Sequence, residues 1–149
     1  SNTRDCMGEI SVEQILITPL ERIEVAGGDV LHAMKRSDPG YIDFGEVYFS
    51  IVEADAIKAW KKHLRMTLNL IVPLGAVFLV FIDEDGAVRE EMVGENRYVR
   101  LTVPPGIWFG FKGLASPYSL LMNITDIPHD TTEIERKNLH EIKCNWKLK

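Results

Sequence analysis

The chain has little of what would place it in several large classes of protein. Its two cysteines, Cys6 and Cys144, sit near opposite ends of 149 residues. That is too few for a disulfide scaffold, and two free thiols in a reducing cytoplasm are the expectation. No apolar run approaches the roughly 20 residues of a membrane-spanning helix. The start, Ser1 to Met7, lacks an apolar stretch of signal-peptide type. Ser1-Asn2 reads as a tag remnant, Met7 as a natural start, and residues 1–8 as disordered or tag-derived. Basic charge is also short: 17 Lys and Arg against 22 Asp and Glu leave a net charge of −5. That disfavours a nucleic-acid partner. No phosphate loop, nucleophile elbow or dinucleotide fingerprint is present, and helical periodicity is almost absent.

What is there is ordinary globular material, 46% hydrophobic and 26% charged. The length fits a single domain over 1–149. Short β-branched and aromatic runs alternate with turn signals. Glu46-Val-Tyr-Phe-Ser-Ile-Val52 and Ala76-Val-Phe-Leu-Val-Phe-Ile82 are the clearest strands, and Ser37-Asp-Pro-Gly40 and Asp83-Glu-Asp-Gly86 the clearest turns. About ten strands with a turn every eight to twelve residues argue for an antiparallel sandwich or barrel. The one helix candidate runs from Thr131 to Lys137, with Asp130 or Thr131 as cap and Glu133 as capping-box partner.

The segment Ala56-Ile-Lys-Ala-Trp-Lys-Lys-His63 carries most of the chemistry. It begins as an alternating strand, with Ile57, Ala59 and Lys61 on one face and Ala56, Lys58 and Trp60 on the other. A histidine closing such a strand is a candidate general base, because its pKa lies near neutrality; it is equally a solvated loop histidine beside cations. Lys61, Lys62 and Arg65 would lower its pKa by repulsion. Lys58 can pair with a phosphate and Trp60 can stack on a ring; alternatively Trp60 is core and Lys58 snorkels past it. Asn69 interrupts an apolar run, so it is either satisfied internally or faces a ligand cavity. Glu46, Tyr48 and Asn123 pose the same question on their strands, and Trp108 is a second candidate stacking surface. No metal site is expected. The usual barrel site needs two histidines one residue apart, and the corresponding pair here is Lys61 and His63.

The runs Ala56–Arg65, Gly75–Asp83, Leu101–Phe111 and Asn123–Arg136 resemble the dTDP-4-dehydrorhamnose 3,5-epimerase family and its sugar-isomerase relatives. The strongest match is Val103-Pro-Pro-Gly106 followed by Phe109-Gly-Phe111. The resemblance implies an all-β, cupin-type double-stranded β-helix jelly roll with a short C-terminal helix. It also implies a cytoplasmic homodimer that needs no cofactor and binds a nucleotide sugar. The activity implied is epimerisation or isomerisation of a 4-keto nucleotide sugar in surface-polysaccharide biosynthesis. His63 falls at the position of the base that takes a proton alpha to the 4-keto group, and Lys58 at that of a nucleotide-contacting arginine. Lys61, Arg65, Asn69, Glu46, Tyr48, Trp108 and Asn123 complete the expected binding set with Trp60. The chain departs from the family where Phe109 stands in place of a frequent histidine and Met122 in place of the acid tyrosine. The region Met66–Leu68 lacks the family's lysine, and the aspartate that orients the histidine belongs to a more C-terminal segment. Asp126 or Glu46 is then the candidate to orient His63, and Tyr48 the candidate donor. The alternative is a non-catalytic nucleotide-sugar or carbohydrate-binding cupin that has lost its acid.

Overall fold

A computed structural model describes residues 10–147. Cys6 and the expectations for residues 1–8 lie outside the described residues, and Cys144 is a free thiol. Twelve strands follow in order: β1 (Leu16–Pro19), β2 (Arg22–Ile23), β3 (Val30–Leu31), β4 (Glu46–Glu53), β5 (Ile57–His63), β6 (Leu68–Leu74), β7 (Ala76–Ile82), β8 (Val88–Gly94), β9 (Val99–Val103), β10 (Trp108–Gly113), β11 (Tyr118–Thr125) and β12 (Ile134–Arg136). They form two five-stranded antiparallel sheets, β1-β9-β6-β11-β4 and β12-β5-β10-β7-β8, plus the small β2-β3 hairpin. Strands next to each other in sequence mostly lie in opposite sheets, and this is the double-stranded β-helix jelly roll of the cupins.

Alternation along each strand decides what lies between the sheets. Val52, Leu68, Leu70, Leu79, Phe81, Leu101, Val103 and Leu121 point inward and form the main core. Strand β7 is apolar throughout because both of its faces are covered. Val77, Leu79 and Phe81 join the main core, and Phe78 and Val80 join a second cluster with Trp60, Trp108, Ile142 and Trp146. The second cluster lies outside the sheet, under the segment 137–146. The hairpin at 83–86 forms as its composition predicts. The Asp83 carboxylate accepts bonds from the backbone N–H groups of Asp85 and Ala87, and its other oxygen takes that of Val12. Gly75, at φ +82°, makes the sharp connection from β6 to β7, and a side chain there would strike Ser119.

The expected helix at 131–137 is a single 3-10 turn, Thr131–Glu133, followed directly by strand β12. Asp130 does cap it, accepting from the Thr132 N–H. The turn stops because Ile134, Glu135 and Arg136 pair with His63, Lys62 and Lys61 along the open edge of β5. Two β-branched threonines at the start leave little helical preference to set against those ladder bonds.

Candidate functional site

The inner wall of β5 ends in His63, and its ring is 4% exposed. Nδ1 of His63 donates to Oε2 of Glu133 at 2.5 Å. Glu133 is itself only 1% exposed, and its Oε1 accepts the backbone N–H groups of Arg65 and Met66. Three donors hold one carboxylate, so the carboxylate fixes both the plane and the tautomer of the imidazole. Burial works to raise the Glu133 carboxyl, but the bonds from His63, Arg65 and Met66 together outweigh it and hold its pKa below the ordinary value. The far nitrogen, His63 Nε2, is buried and has no hydrogen-bond partner. The imidazole pKa is lowered, first by burial and then by Lys61 and Arg136, against the pull of Glu133. A neutral ring with an open lone pair is the state a general base needs. Phe109 lies nearly parallel to the ring, centroids 6.1 Å apart.

A cavity of about 420 Å³ adjoins this wall, lined by Ser50, Lys58, Lys61, Phe109, Phe111 and Arg136 among others. A register shift between Phe109 and Gly110 explains how the cations come together. On β5, Lys61 pairs with Phe109 and Ala59 with Gly110, so Trp60 is an extra residue in a bulge. One extra residue reverses the alternation. Lys58 and Lys61, three apart, therefore share the inner face, with Phe111 and Phe109 as their respective partners across the ladder. On the other side Arg136 of β12 pairs with Lys61. Across the sandwich, Ser50 and Tyr48 point inward from β4, and the Tyr48 hydroxyl accepts a bond from Asn123 Nδ2 at 2.9 Å. Burial raises the Tyr48 pKa, so its proton stays on.

Several expected site residues lie elsewhere. Trp60 does not share a face with Lys58: it borders the cavity but packs its indole into the outer cluster, 2% exposed, and its Nε1 donates to the Leu139 carbonyl. Trp108 belongs to the same outer cluster, with the ammonium groups of Lys62 and Lys137 over its ring. Asn69 is on the outer side of its sheet beside Thr102. Its amide donates to the Gly40 carbonyl and its Oδ1 accepts from the Thr102 hydroxyl, so it is satisfied internally. The Arg65 guanidinium pairs with Asp130 at the exposed rim, and only its backbone N–H serves the site. Glu46 accepts the His129 N–H and Asp126 the Thr67 N–H, so neither orients His63. Met122 faces outward, opposite Phe49. Lys58, Lys61, Tyr48 and Asn123 do face inward with His63.

Glu133 and Arg136 are not among the residues expected at the site, and the structure brings both to it. Glu133 is the orienting carboxylate, obscured by its reading as a helix cap. The local sequence Glu133-Ile-Glu-Arg136 holds a single apolar residue and shows no strand period, so no local pattern marks either residue. Among the described residues no group of three or more His, Cys, Asp or Glu could hold a metal ion, and no helix is long and apolar enough to cross a membrane.

No family model matches the chain. A dTDP sugar isomerase from Desulfovibrio desulfuricans G20 is 36% identical, with a TM-score of 0.83 and 87% of each chain covered. A dTDP-4-dehydrorhamnose 3,5-epimerase from Sulfolobus tokodaii shares the fold at 15% identity, with a TM-score of 0.78 over 95% of this chain and 86% of its own. So does a sugar 3,4-ketoisomerase from Thermoanaerobacterium thermosaccharolyticum solved with TDP, at 17% identity and a TM-score of 0.74, covering 85% and 90%. A probable low-salt glycan biosynthesis epimerase from Haloferax volcanii is 28% identical over 83 residues, 51% of this chain. That match spans about half, 53%, of the relative's length.

Proposed function

Since the chain belongs to the dTDP-4-dehydrorhamnose 3,5-epimerase family of cupin-type nucleotide-sugar epimerases and isomerases, we propose that it epimerises or isomerises a 4-keto nucleotide sugar in surface-polysaccharide biosynthesis, with His63 as general base. The observation that carries this reading is the pairing of the His63 ring. Nδ1 is tied to a buried carboxylate, and Nε2 is buried without a partner on the strand face that also carries Lys58 and Lys61. Nε2 takes the proton from the carbon next to the ketone, and the C–H electrons pass into the carbonyl as an enolate. Glu133 stabilises the imidazolium that results. Lys58 and Arg136 supply fixed positive charge for a diphosphate. Tyr48, on the opposite wall, holds a phenolic proton that can be returned to the far face of the carbon, which is what epimerisation requires. The dTDP sugar isomerase and TDP-bound ketoisomerase among the similar structures make a dTDP sugar the first substrate to try.

The chain acts as a single domain and as a homodimer in this reading. Val47, Phe49 and Ile51 form an apolar stripe on the edge strand β4, with Phe49 58% exposed, and covering it is favourable. Sedimentation as a monomer at working concentration would count against the dimer.

The test is solvent exchange. In deuterated water, TDP-4-keto-6-deoxyglucose should take up deuterium beside its ketone with the native protein. His63→Ala should lower that rate by about 10²–10⁴-fold while dTDP binding persists. Nucleotide-sugar binding without exchange in the native protein would instead make this a binding cupin.

A further inference from the structure

Three cations line the cavity on the inner face of β5, and they are not equivalent. Lys58 sits at the exposed rim, and its ammonium donates to the Ile51 carbonyl. Arg136 is a guanidinium and stays charged at any working pH. Lys61 lies between them, directly opposite Arg136 on β12 and Phe109 on β10. Among the described residues its amine has no hydrogen-bond or ion-pair partner. Neighbouring Lys62, on the other face, is held by both Glu84 and Glu135, and Lys112 lies near Asp55. An unpaired amine inside a lined cavity is costly unless a ligand engages it or it gives up its charge.

From this geometry, and resting on the reading of His63 as base, we infer that Lys61 is the acid that protonates the substrate's carbonyl oxygen. Lys61 and His63 are two residues apart on one strand face, which places their side chains about 7 Å apart at the base. A sugar whose α carbon lies at His63 Nε2 can therefore present its neighbouring oxygen to Lys61 Nζ. The C–H bond breaks and its proton passes to Nε2. The bonding pair becomes the C=C bond, the carbonyl π pair moves to oxygen, and the oxygen takes a proton from the Lys61 ammonium. The product of the step is a neutral enol, with imidazolium at 63 and free amine at 61. Reversal of these transfers, on the same or the opposite carbon face, regenerates a ketone and both side chains.

The surroundings make Lys61 fit to lose and regain a proton. Burial, with Arg136 and Lys58 beside it, lowers its pKa, and Glu133 opposes this only in part. The groups around it are Lys58 and His63 on its own strand, Arg136 on β12, Glu133 in the turn before β12, and Ser50 on β4; Phe109 on β10 adds no charge. Neither of the other two cations can do this work, since Lys58 is at the rim and Arg136 does not deprotonate.

Exchange and affinity should be measured together on Lys61→Met and Lys61→Arg, with melting curves to verify folding. With TDP-4-keto-6-deoxyglucose in deuterated water, Lys61→Met should exchange about 10²-fold or more slowly than the native protein. Its affinity for dTDP, by calorimetry, should change by less than about tenfold, within the range of one electrostatic contact. Lys61→Arg should bind dTDP like the native protein yet remain slow, and the high-pH fall in the native exchange rate should be absent from its profile. Exchange by Lys61→Met within about fivefold of native, or full activity in Lys61→Arg, would overturn the assignment and leave His63 as base. Absence of exchange in the native protein, with dTDP still bound, would overturn both.

Discussion

The two faces of β5 are built from the same kinds of residue and treat them differently. On the outer face Trp60 packs against Trp146 and Phe78, with its indole N–H bonded to Leu139. The Lys62 ammonium has two carboxylate partners there and lies over Trp108. On the inner face Lys61 and Arg136 stand opposite each other without partners among the described residues, and His63 keeps one nitrogen open. Like charges side by side and an unsatisfied buried nitrogen both oppose folding. Their presence on one face only fits the proposed function, in which substrate takes the place of a protein partner. The outer face is a structural solution, and its aromatics and cation resemble a binding motif only when read in one dimension.

Removing a residue from each face should separate the two. The largest effect on stability is expected from the outer face. Trp60→Ala should destabilise the fold by about 3–5 kcal/mol, seen in urea unfolding, while the exchange rate per folded molecule changes little. A large loss of exchange without loss of stability would erase the distinction between the faces. Glu133→Gln comes next. The amide oxygen can still accept the Arg65 and Met66 N–H groups, but the charge that holds His63 is gone. A cost of about 1–3 kcal/mol is expected, with exchange lowered far more than dTDP affinity. Unchanged exchange would show that His63 needs no orienting group.

The smallest effect is in the pH dependence of stability. The His63 pKa lies below the 6.5 of a free imidazole. Below pH 6.5 the unfolded chain therefore binds protons that the folded site refuses. This contribution is complete above pH 6.5 and is lost as pH falls toward the folded value. The Glu133 pKa lies below 4.5, so its contribution persists above 4.5 and is lost only at lower pH, through its own folded value. The melting temperature should thus begin to fall below about pH 6.5, and His63→Asn should remove this first part of the decline. Melting curves that coincide in the two proteins between pH 4.5 and 6.5 would argue against a neutral buried imidazole.

Much of the fold was legible from alternation and turns alone. Strands β4 and β7 and the 83–86 hairpin follow from composition. At the proposed site, His63 and Tyr48 lie on the strands that their local patterns indicate, while Lys61 shares its face with Lys58 and not, as the alternation suggests, with Ala59. Trp60 was placed on the wrong side because one bulged residue reverses the alternation upstream of it, and a bulge leaves no mark in a short polar-apolar pattern. Glu133 was hidden for a different reason. Its role depends on a contact with a residue 70 positions away, and locally it is a good helix-capping residue.

Read locally, the chain fixes an antiparallel all-β sandwich or barrel, the excess of cations between Lys58 and Arg65, and the histidine within that run. These rest on period and local composition, which act within a few residues. Long-range pairing sets which cations face the cavity, which carboxylate holds the histidine, and that Trp60 and Trp108 pack in the outer cluster. Those outcomes depend on strand register and on an edge strand pairing across the chain, where a shift of one residue exchanges inside for outside.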